Sequence, residues 1–441
     1  MTSDRRVPVA IVGGGFSGTI LAAQLARRGV ASILIDGSGR AGKGVAYSTK
    51  EPAHLLNVRA EGMSAWADDP EHFANRFESE GGDRRGFAER RLFGRYLGEI
   101  LDEAVAAGMT EVSTASAIGA NAADGGWRIA LDDGETLHAD ALALAVGNQE
   151  PEPLSAFAGT RDRFIRNPWG EAAQSAVREI VESGEGALLV GTGLTMVDLA
   201  LSLDAAGYRG RILALSRRGL IPRSHADFEP APVSEDDLPG GNLRGLWRWL
   251  RRRGAEVGWR AAVDSLRPYS HALWQGLDDD QQRRFLRHAR PWWDVHRHRI
   301  APEVARTIAQ MIADDRLEVA AGRIVTARED GEALEVEYRR RGSRTAQSVR
   351  VAYGFNCTGP LHSVARTKDP LLRSLFDAGQ IRADRLGIGL EVDERSHAVG
   401  GERLWALGPL TKGRYWEIIA VPDIRGQAAT VAEDITTELG R

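Results

Sequence analysis

The hydrophobic residues of the first 36 positions fall into groups with different spacing. Residues 7–12 and 33–35 are short apolar runs of the kind that forms buried strands. The apolar positions within residues 20–25 instead follow a helical period, and Gly29 ends that segment. The pattern predicts a strand, a turn, a helix and a second strand.

The pattern after residue 36 is that of a loop, helices and a β-meander. Residues 37–70 are polar, glycine-bearing and too irregular for a long helix, so we expect a loop folded over a cofactor. Residues 71–107 have apolar side chains at three- and four-residue spacing, which predicts helices. From residue 111 the period changes to two and predicts a meander closing on Gly147, with strands at 113–120, 127–131 and 140–146.

The chain then repeats this order of elements. A strand is predicted at 187–190, a glycine turn and helix at 191–207, and a further strand at 211–215. A second meander, at 323–355, closes on Gly359. Two copies of strand, glycine turn, helix, strand and meander indicate two dinucleotide-binding domains.

The first glycine turn has the spacing G-x-G-x-x-G, as Gly13, Gly15 and Gly18. Glycines at these positions allow a tight turn, let a pyrophosphate approach the backbone and bring the helix close to the strand. The helix N-terminus offers the pyrophosphate free N–H groups and a partial positive charge. Asp36 ends the next strand, where an acid can accept hydrogen bonds from ribose hydroxyls. An ordinary βαβ unit is the alternative, but this context favours a dinucleotide site.

The second glycine turn departs from that spacing. It has Gly191 and Gly193 but Met196 in place of the third glycine, and the next strand ends in residues 216–218, Ser-Arg-Arg, rather than in an acid. Arginines pair with a 2′-phosphate, whereas a carboxylate favours a free 2′-hydroxyl. We therefore expect NADPH, with NADH as the alternative. Only four of the 57 basic residues are lysines, so an arginine cluster is less informative here, and a solvated strand end stays open.

Composition narrows the classes of function. The 441 residues suggest two or three domains, and the net charge of −4 gives no global basic field, so nucleic acid is not an expected partner. There is no long apolar span and no signal peptide, so we expect no membrane partner and a cytoplasmic location. The single cysteine, Cys357, excludes an intrachain disulfide and a Cys-x-x-Cys relay. It ends a buried strand and is expected to be inert packing.

Two nucleotide sites in one chain more often serve hydride transfer through a flavin than two nicotinamides, so FAD is expected in the first domain. Near the C-terminus, Pro422 and Asp423 stand where a helix can begin. Its N-terminus could stabilise the reduced, anionic flavin ring, although a helix that only packs on the sheet is an equal alternative. Asn57 is the preferred polar residue beside the flavin, against a role in capping the loop.

The predicted fold class is α/β, with two Rossmann-like dinucleotide-binding domains that carry β-meanders and a helical insert in the second. The insert, about 235–320, holds six of the eleven tryptophans and many arginines, and runs such as LWRWLRRRG indicate a helical cap. The expected division is 1–155 as the first part of an FAD-binding domain, 156–355 as an NAD(P)H-binding domain, and 356–441 as the C-terminal part of the FAD-binding domain.

Several segments together resemble the bacterial FAD-NAD(P)-binding protein family: GKGVAYS (42–48), HLLNV (54–58), GMS (62–64), GTGLTMVD (191–198), SRRGLIPRSH (216–225), HRHRIAP (296–302), NCTGP (356–360), and GPLTKG with WEIIAVPDIRGQA. The resemblance covers nearly the whole chain and extends, more distantly, to N-hydroxylating and class B flavin monooxygenases. It implies FAD in the first domain, NAD(P)H in the second and catalysis at their junction. The F-x-G-x-x-x-H fingerprint of Baeyer-Villiger enzymes and an ornithine-binding signature are absent from the sequence.

By the same resemblance, residues 43–47, Asn57 and Met63 would lie near the flavin, with Lys412 and Glu417 at its other edge. The catalytic candidates are Asn57, Lys412 and Glu417. The candidate cofactor-binding residues come from the glycine turns, the strand ends and these segments: Gly13, Gly15, Phe16, Ser17, Gly18, Asp36, Lys43, Gly44, Val45, Ala46, Tyr47, Asn57, Met63, Gly147, Gly191, Gly193, Leu194, Thr195, Ser216, Arg217, Arg218, Thr358, Gly359, Gly408, Pro409 and Pro422.

No metal site is expected, because His296 and His298 have only Asp294 as a nearby carboxylate. The expected function is an FAD- and NAD(P)H-dependent oxidoreductase. We favour a monooxygenase in which reduced flavin and O2 form a C4a-hydroperoxide that hydroxylates a small organic substrate under the cap. A reductase or dehydrogenase without oxygen insertion and a flavin-bearing redox sensor or partner-binding protein are the alternatives. Substrate and oligomeric state stay open.

Overall fold

The computed structural model of the chain describes residues 5–361 and 363–441. The strands in these residues are β1 (Arg5–Val12), β2 (Ser32–Ile35), β3 (Thr110–Ser113), β4 (Ala117–Ala123), β5 (Gly126–Leu131), β6 (Thr136–Leu144), β7 (Phe164–Ile165), β8 (Ala187–Val190), β9 (Ile212–Ser216), β10 (Leu317–Asp330), β11 (Ala333–Arg340), β12 (Gln347–Val351), β13 (Tyr353–Asn356) and β14 (Leu404–Ala406).

The α-helices in the same residues run from α1 near the N-terminus to α14 near the C-terminus. They are α1 (Phe16–Arg27), α2 (Gly44–Tyr47), α3 (His72–Ser79), α4 (Arg90–Ala106), α5 (Glu171–Ser183), α6 (Leu194–Ala205), α7 (Leu243–Val257), α8 (Trp259–Asp264), α9 (Ser270–Gln275), α10 (Asp279–Arg284), α11 (Arg290–Arg297), α12 (Pro302–Ala313), α13 (Pro370–Asp377) and α14 (Val421–Glu438). None of these helices combines the length and apolarity that crossing a bilayer requires.

The first sheet has the strand order β3-β2-β1-β6-β5-β4, with β14 added beside β6. β1 lies between β2 and β6 and is parallel to both, while β4, β5 and β6 form an antiparallel meander. The strand, turn, helix and strand predicted for residues 7–36 are confirmed as β1, α1 and β2. β14 pairs in parallel with the last residues of β6, so a late segment of the chain completes this sheet.

The predicted strand at 113–120 is wrong, because the structure divides this segment between two strands. Residues up to Ser113 form β3, which is parallel to β2, and the meander begins only at Ala117. The Ser113 hydroxyl accepts a hydrogen bond from the Ala115 N–H, and the Asp132 carboxylate accepts one from the Ser116 N–H. These side-chain acceptors take backbone groups that a continuous strand would pair with a neighbour.

The long helices α1 and α14 pack together over the first sheet. α1 is buried along most of its length, and the apolar face of α14 includes Ile424, Ala428 and Val431. α14 begins with Pro422 in its first turn, as expected from the sequence. The C-terminal helix therefore contributes to the core of the first sheet's layer.

The second sheet has the order β12-β11-β10-β9-β8-β13-β7. The predicted strand, glycine turn, helix and strand are confirmed as β8, α6 and β9. β10 has two partners: its first five residues pair in parallel with β9, and its remainder pairs antiparallel with β11. β10 thus extends the sheet past the last residue of β9.

The insert is helical, as predicted, but its last helix belongs to the sheet. α12 buries Val304, Ile308 and Met311 in the core shared with α6 and the second sheet. The cap proper consists of α7 to α11 and has an aromatic core that includes Trp249, Trp274 and Trp293. Trp416, from the segment before α14, stacks on Trp274 with ring centroids 4.8 Å apart. The cap therefore rests on the C-terminal segment.

Candidate cofactor-binding and catalytic site

The three glycines of the first turn differ in what a side chain would meet. A Cβ atom on Gly13 would lie 2.4 Å from the carbonyl oxygen of Ala145, and one on Gly18 would lie 1.9 Å from that of Gly13. At Gly15 the nearest atom would be the Gly44 Cα at 3.9 Å. Packing of the fold therefore requires Gly13 and Gly18, whereas Gly15 faces space that fits a pyrophosphate.

The N-terminus of α1 is open to an anion. Gly15 is its N-cap residue and no side chain caps the helix, so its first N–H groups are available to a ligand. Asp36 follows β2, is 9% exposed and accepts a hydrogen bond of 2.9 Å from the Ser38 N–H. A Cβ atom on Gly14 would lie 2.4 Å from Asp36 Oδ2, which places the carboxylate beside the turn. This arrangement fits the pyrophosphate and ribose of a dinucleotide.

The segment 43–47 lies against the same turn. A Cβ atom on Gly44, whose φ is +56°, would come within 2.8 Å of the Gly15 Cα. Lys43, Val45 and Ala46 are exposed, while the Tyr47 ring meets Phe93 edge-on at 4.7 Å. The structure therefore brings this segment, which the resemblance indicated, against the first glycine turn.

Met63 is placed differently from the other candidates near the first site. Its side chain is 2% exposed and belongs to the core that packs α1. Met63 therefore packs within the hydrophobic core around α1.

The C-terminal segment reaches the first turn of α1. Gly408 has a φ of +63°, and a Cβ atom there would lie 2.5 Å from the Ser17 hydroxyl. The Gly408 N–H donates to Gln427 Oε1, and Gln427 Nε2 donates to the Thr411 hydroxyl. Gln427 was not among the predicted site residues, although its place one turn into the predicted helix was a usable signal. It holds the Gly408-Pro409 turn against α1.

A narrow cavity lies where β6 ends and the C-terminal segment passes. Gly147, Gln149, Pro409 and Lys412 line it. Three of the four were predicted, and Gln149 was missed because no glycine or charge pattern marks it. Gly147, which follows β6, therefore lines the same cavity as Pro409 and Lys412 of the C-terminal segment.

Lys412 is the titratable group of this cavity. Burial, and then the neighbouring Arg290, lower the pKa of its ammonium group to about 8, although Asp384 opposes the shift. Asp384 itself accepts hydrogen bonds from the backbone of the turn at Leu386. A lysine with a pKa near 8 can hold or release a proton close to neutral pH.

Glu417 joins the C-terminal segment to the cap. Trp293 Nε1 donates a hydrogen bond of 2.7 Å to Glu417 Oε1, and Arg297 Nε lies 3.3 Å from Oε2. Burial raises the pKa of this carboxyl, but the charges of His298 and Arg297 and the Trp293 hydrogen bond outweigh that effect, so the pKa is lowered. Glu417 is therefore an ionised, buried anchor, and it adopts a left-handed φ of +75°.

The second glycine turn has the same division of roles as the first. A Cβ atom on Gly191 would lie 2.1 Å from the Cys357 carbonyl oxygen, whereas one on Gly193 would have no neighbour within 4 Å. Gly193 is the N-cap of α6 and no side chain caps that helix, which Leu194 and Thr195 begin. The third-glycine position is Met196, and its fully buried side chain fills the contact between helix and sheet. The site at Gly193 fits a second pyrophosphate.

The end of β9 lies beside this turn. The Ser216 hydroxyl is 2.8 Å from the Thr192 hydroxyl and accepts a hydrogen bond from the Gly219 N–H. Arg217 is exposed, and Arg218 makes a long hydrogen bond of 3.5 Å to the His288 carbonyl. The segment predicted to recognise a 2′-phosphate therefore lies next to the second glycine turn.

The loop after β13 carries the last two cofactor candidates. The Thr358 hydroxyl donates a hydrogen bond of 2.7 Å to Asn356 Oδ1, and Gly359 has a φ of +88°. Cys357 is 4% exposed, and burial raises the pKa of its thiol. A buried, protonated thiol is a poor nucleophile.

A polar junction joins α4 to α6, the helix that follows the second glycine turn. Arg90 donates to both carboxylate oxygens of Asp198, at 2.8 and 2.9 Å, and both side chains are largely buried. His225 Nε2 donates to the Asn57 carbonyl oxygen at 2.9 Å. Asn57 thus contributes its backbone to this junction, a contact that the sequence did not indicate.

One group of possible metal ligands occurs in the described residues, at His397, Asp434 and Glu438. His397 Nε2 lies 2.5 Å from Asp434 Oδ2, and Trp405 Nε1 and Arg395 also bind the Asp434 carboxylate. Because Arg395, His397 and Trp405 all contact the Asp434 carboxylate, we interpret this group as an ion-pair cluster beside α14.

Residues 10–149 match the model of the FAD-NAD(P)-binding family. This stretch is an FAD-NAD(P)-binding domain. It contains the first glycine turn, Asp36, the segment 43–47 and the meander that ends at Gly147. No curated protein sequence matches the chain.

Solved structures share the fold along nearly the whole chain. The ornithine N-hydroxylase of Kutzneria sp. 744, with reduced FAD, NADP+ and L-ornithine, has a TM-score of 0.66 at 16% identity. L-lysine 6-monooxygenase of Pseudomonas syringae has a TM-score of 0.65 at 16% identity. The bacillithiol disulfide reductase of Staphylococcus aureus has a TM-score of 0.58 at 12% identity. Each comparison covers 98% of this chain and 99% of the other. Over nearly its whole length, the chain therefore has the fold that these three proteins share.

Proposed function

We propose that the protein is an NADPH-dependent FAD monooxygenase that hydroxylates a small organic substrate beneath the cap of α7 to α11. The observation that carries the proposal is the contact of the cap with the C-terminal segment beside Lys412. Trp293 and Arg297 engage the buried Glu417 there, and Trp274 stacks on Trp416, so the cap can keep water from the flavin side of the site.

The two glycine turns supply the cofactor sites of this proposal. Gly15 and the N-terminus of α1 would hold the pyrophosphate of FAD, and Asp36 its ribose. Gly193 and the N-terminus of α6 would hold the pyrophosphate of NADPH, and Arg217 its 2′-phosphate. The division into an FAD-binding part, 1–155 with 356–441, and an NAD(P)H-binding part, 156–355, follows these assignments.

When bound, FAD would supply the electron transfer from NADPH and the reaction with O2. Lys412 would hold or release a proton at its Nζ atom beside the ring, since its pKa is lowered to about 8. Glu417 would keep the cap in place, because both of its carboxylate oxygens face cap residues. The N-terminus of α14 would add a partial positive charge near the ring.

The fold comparisons favour oxygen insertion over thiol chemistry. The TM-scores for the two hydroxylases, 0.66 and 0.65, exceed that for the disulfide reductase, 0.58. A dithiol relay needs two cysteines, and the chain has only Cys357, which is buried with a raised pKa. A thiol-disulfide reductase is therefore a poor match to this chain.

The test is to measure NADPH oxidation, O2 consumption and H2O2 release by the flavin-loaded protein, with and without a panel of amines, thiols and aromatic compounds. For a monooxygenase, a substrate should lower the H2O2 released per NADPH and yield a product that carries oxygen from 18O2. Organic-acceptor reduction without O2 consumption would identify the reductase. NADPH oxidation that no compound couples to product would oppose both enzymes and favour a sensor.

A further inference from the structure

Two arginines stand directly opposite each other in the second sheet. In the antiparallel pair of β10 and β11, Arg323 is the register partner of Arg339. Side chains at such positions share one face, with Cβ atoms about 5 Å apart, and like charges there destabilise the pair of strands. Among residues 5–361 and 363–441, no acid forms an ion pair with either guanidinium group. The neighbouring Arg340, by contrast, is paired with Glu318.

The pair lies on the face of the sheet that carries the second nucleotide turn. Ala321 is the parallel partner of Ser216 at the end of β9, and Arg323 is two residues further on, so the two share a face. Ser216 points to Thr192 of the glycine turn, with 2.8 Å between the hydroxyl oxygens. Arg323 and Arg339 therefore look towards the side on which α6 begins.

The distance from β9 suits a group attached to the ribose. One strand spacing and two residues of rise separate the backbone of Ser216 from that of Arg323, which amounts to about 8 Å. The aliphatic stem of an arginine is long, so a guanidinium group on β10 can reach the space just beyond the end of β9. In dinucleotide-binding folds the adenosine ribose occupies that place.

We infer that Arg323 and Arg339 form, with Arg217, the subsite for the 2′-phosphate of NADPH. The inference rests on the proposed NADPH dependence and adds residues from the meander to the arginines at the strand end. A dianionic phosphate between two facing guanidinium groups removes their repulsion and accepts charge-assisted hydrogen bonds from both. The two facing arginines on β10 and β11 then serve to bind the phosphate. In the free protein their repulsion is not compensated.

The experiment measures binding of 2′,5′-ADP and of 5′-AMP by titration calorimetry, because these probes differ only in the 2′-phosphate. Wild-type protein should bind 2′,5′-ADP more tightly. Arg339→Ala should raise the Kd for 2′,5′-ADP about 10- to 100-fold and that for 5′-AMP less than about twofold. Arg323→Ala should act in the same way. Arg128→Ala, at an exposed arginine on β5 in the other sheet, is the matched control and should change neither Kd.

The melting temperature distinguishes a role of these arginines in phosphate recognition from a structural role. Removing one member of a like-charge pair should leave the melting temperature of the ligand-free protein unchanged or higher, and 2′,5′-ADP should raise it less in the Arg339→Ala variant than in wild type. If Arg323→Ala and Arg339→Ala still bind 2′,5′-ADP more tightly than 5′-AMP but Arg217→Ala does not, this inference is wrong. That result leaves NADPH dependence intact. A wild-type protein that binds both probes equally overturns the inference together with the NADPH assignment.

Discussion

The indole N–H of Trp293 in the cap donates a 2.7 Å hydrogen bond to the carboxylate of Glu417, 124 positions later in the chain. Arg297, one turn after Trp293, faces the other oxygen of the same carboxylate. Glu417 holds a left-handed φ of +75°, a conformation that is costly for a residue with a side chain. Backbone strain and a buried charge therefore lie where the cap meets the C-terminal segment.

Glu417→Gln should destabilise the protein by about 3–5 kcal/mol, because it removes the carboxylate charge that lies 3.3 Å from the buried guanidinium group of Arg297. Urea unfolding at pH 7 measures the change. The double variant Glu417→Gln with Arg297→Gln is the control and should recover much of the loss. A double variant as unstable as the sum of the two single variants would show that the ion pair does not act as a unit.

Gly15→Val should remove bound FAD while the protein stays folded. Its φ of −76° is open to any residue and the nearest atom to the new Cβ would be 3.9 Å away, so the cost falls on the pyrophosphate. The flavin absorbance per protein after purification, with circular dichroism as the check on folding, measures the effect. Gly193→Val is the matched control and should keep FAD but weaken NADPH binding. Full flavin occupancy in Gly15→Val would contradict the first site.

Stability should fall as the pH drops below neutrality because of His225. Burial, reinforced by the charges of Arg299, Arg59 and Arg260, lowers the pKa of its imidazole from 6.5 to about 4, although its hydrogen bond to Asn57 opposes this. Between about pH 6.5 and 4 the unfolded chain therefore binds a proton that the folded protein does not. The free energy of unfolding should lose up to about 3 kcal/mol across that window.

His225→Gln should flatten this pH dependence, as urea unfolding at pH 7.5 and pH 5 would measure. His288→Gln changes an exposed histidine in the same way and should retain the wild-type dependence. Equal pH dependence in wild type and in His225→Gln would refute the role of His225.

The pH profile of turnover should change slope near pH 8 because of Lys412. Its ammonium group loses its proton around that pH, since burial and Arg290 lower its pKa. Lys412→Met should lower kcat and remove the inflection, measured as steady-state NADPH oxidation between pH 6 and pH 9.5. Lys43→Met, at an exposed lysine of the first site, should keep it. An unchanged profile in Lys412→Met would assign the inflection to another group.

The sequence was most informative where the signal is local. The turn at Gly13 to Gly18, the helix after it and the strand before it lie within a few residues, and glycine spacing and apolar period describe them. The pairing of Trp293 with Glu417 was not predictable, because it depends on how two distant segments pack. The division of residues 110–123 into two strands was missed for a related reason. It depends on hydrogen bonds that Ser113 and Asp132 accept from backbone N–H groups, and hydrophobic periodicity carries no information about such bonds.

The arginine pair shows the same limit. Arg323 and Arg339 look like ordinary charged positions of a meander in the sequence, and only the register of β10 with β11 makes them neighbours. Even a correct secondary-structure prediction leaves that register open, because one residue of slip would turn each side chain to the other face.

The return of β14 and α14 to the first sheet has a consequence for the order in which the protein acquires its structure. During synthesis, β1, α1 and β6 leave the ribosome early, but their partners β14 and α14 follow more than 250 residues later. The second sheet, from β7 to β13, is complete before them. The first sheet therefore stays incomplete while the second sheet is synthesised, and we expect flavin to bind only after β14 and α14 have packed.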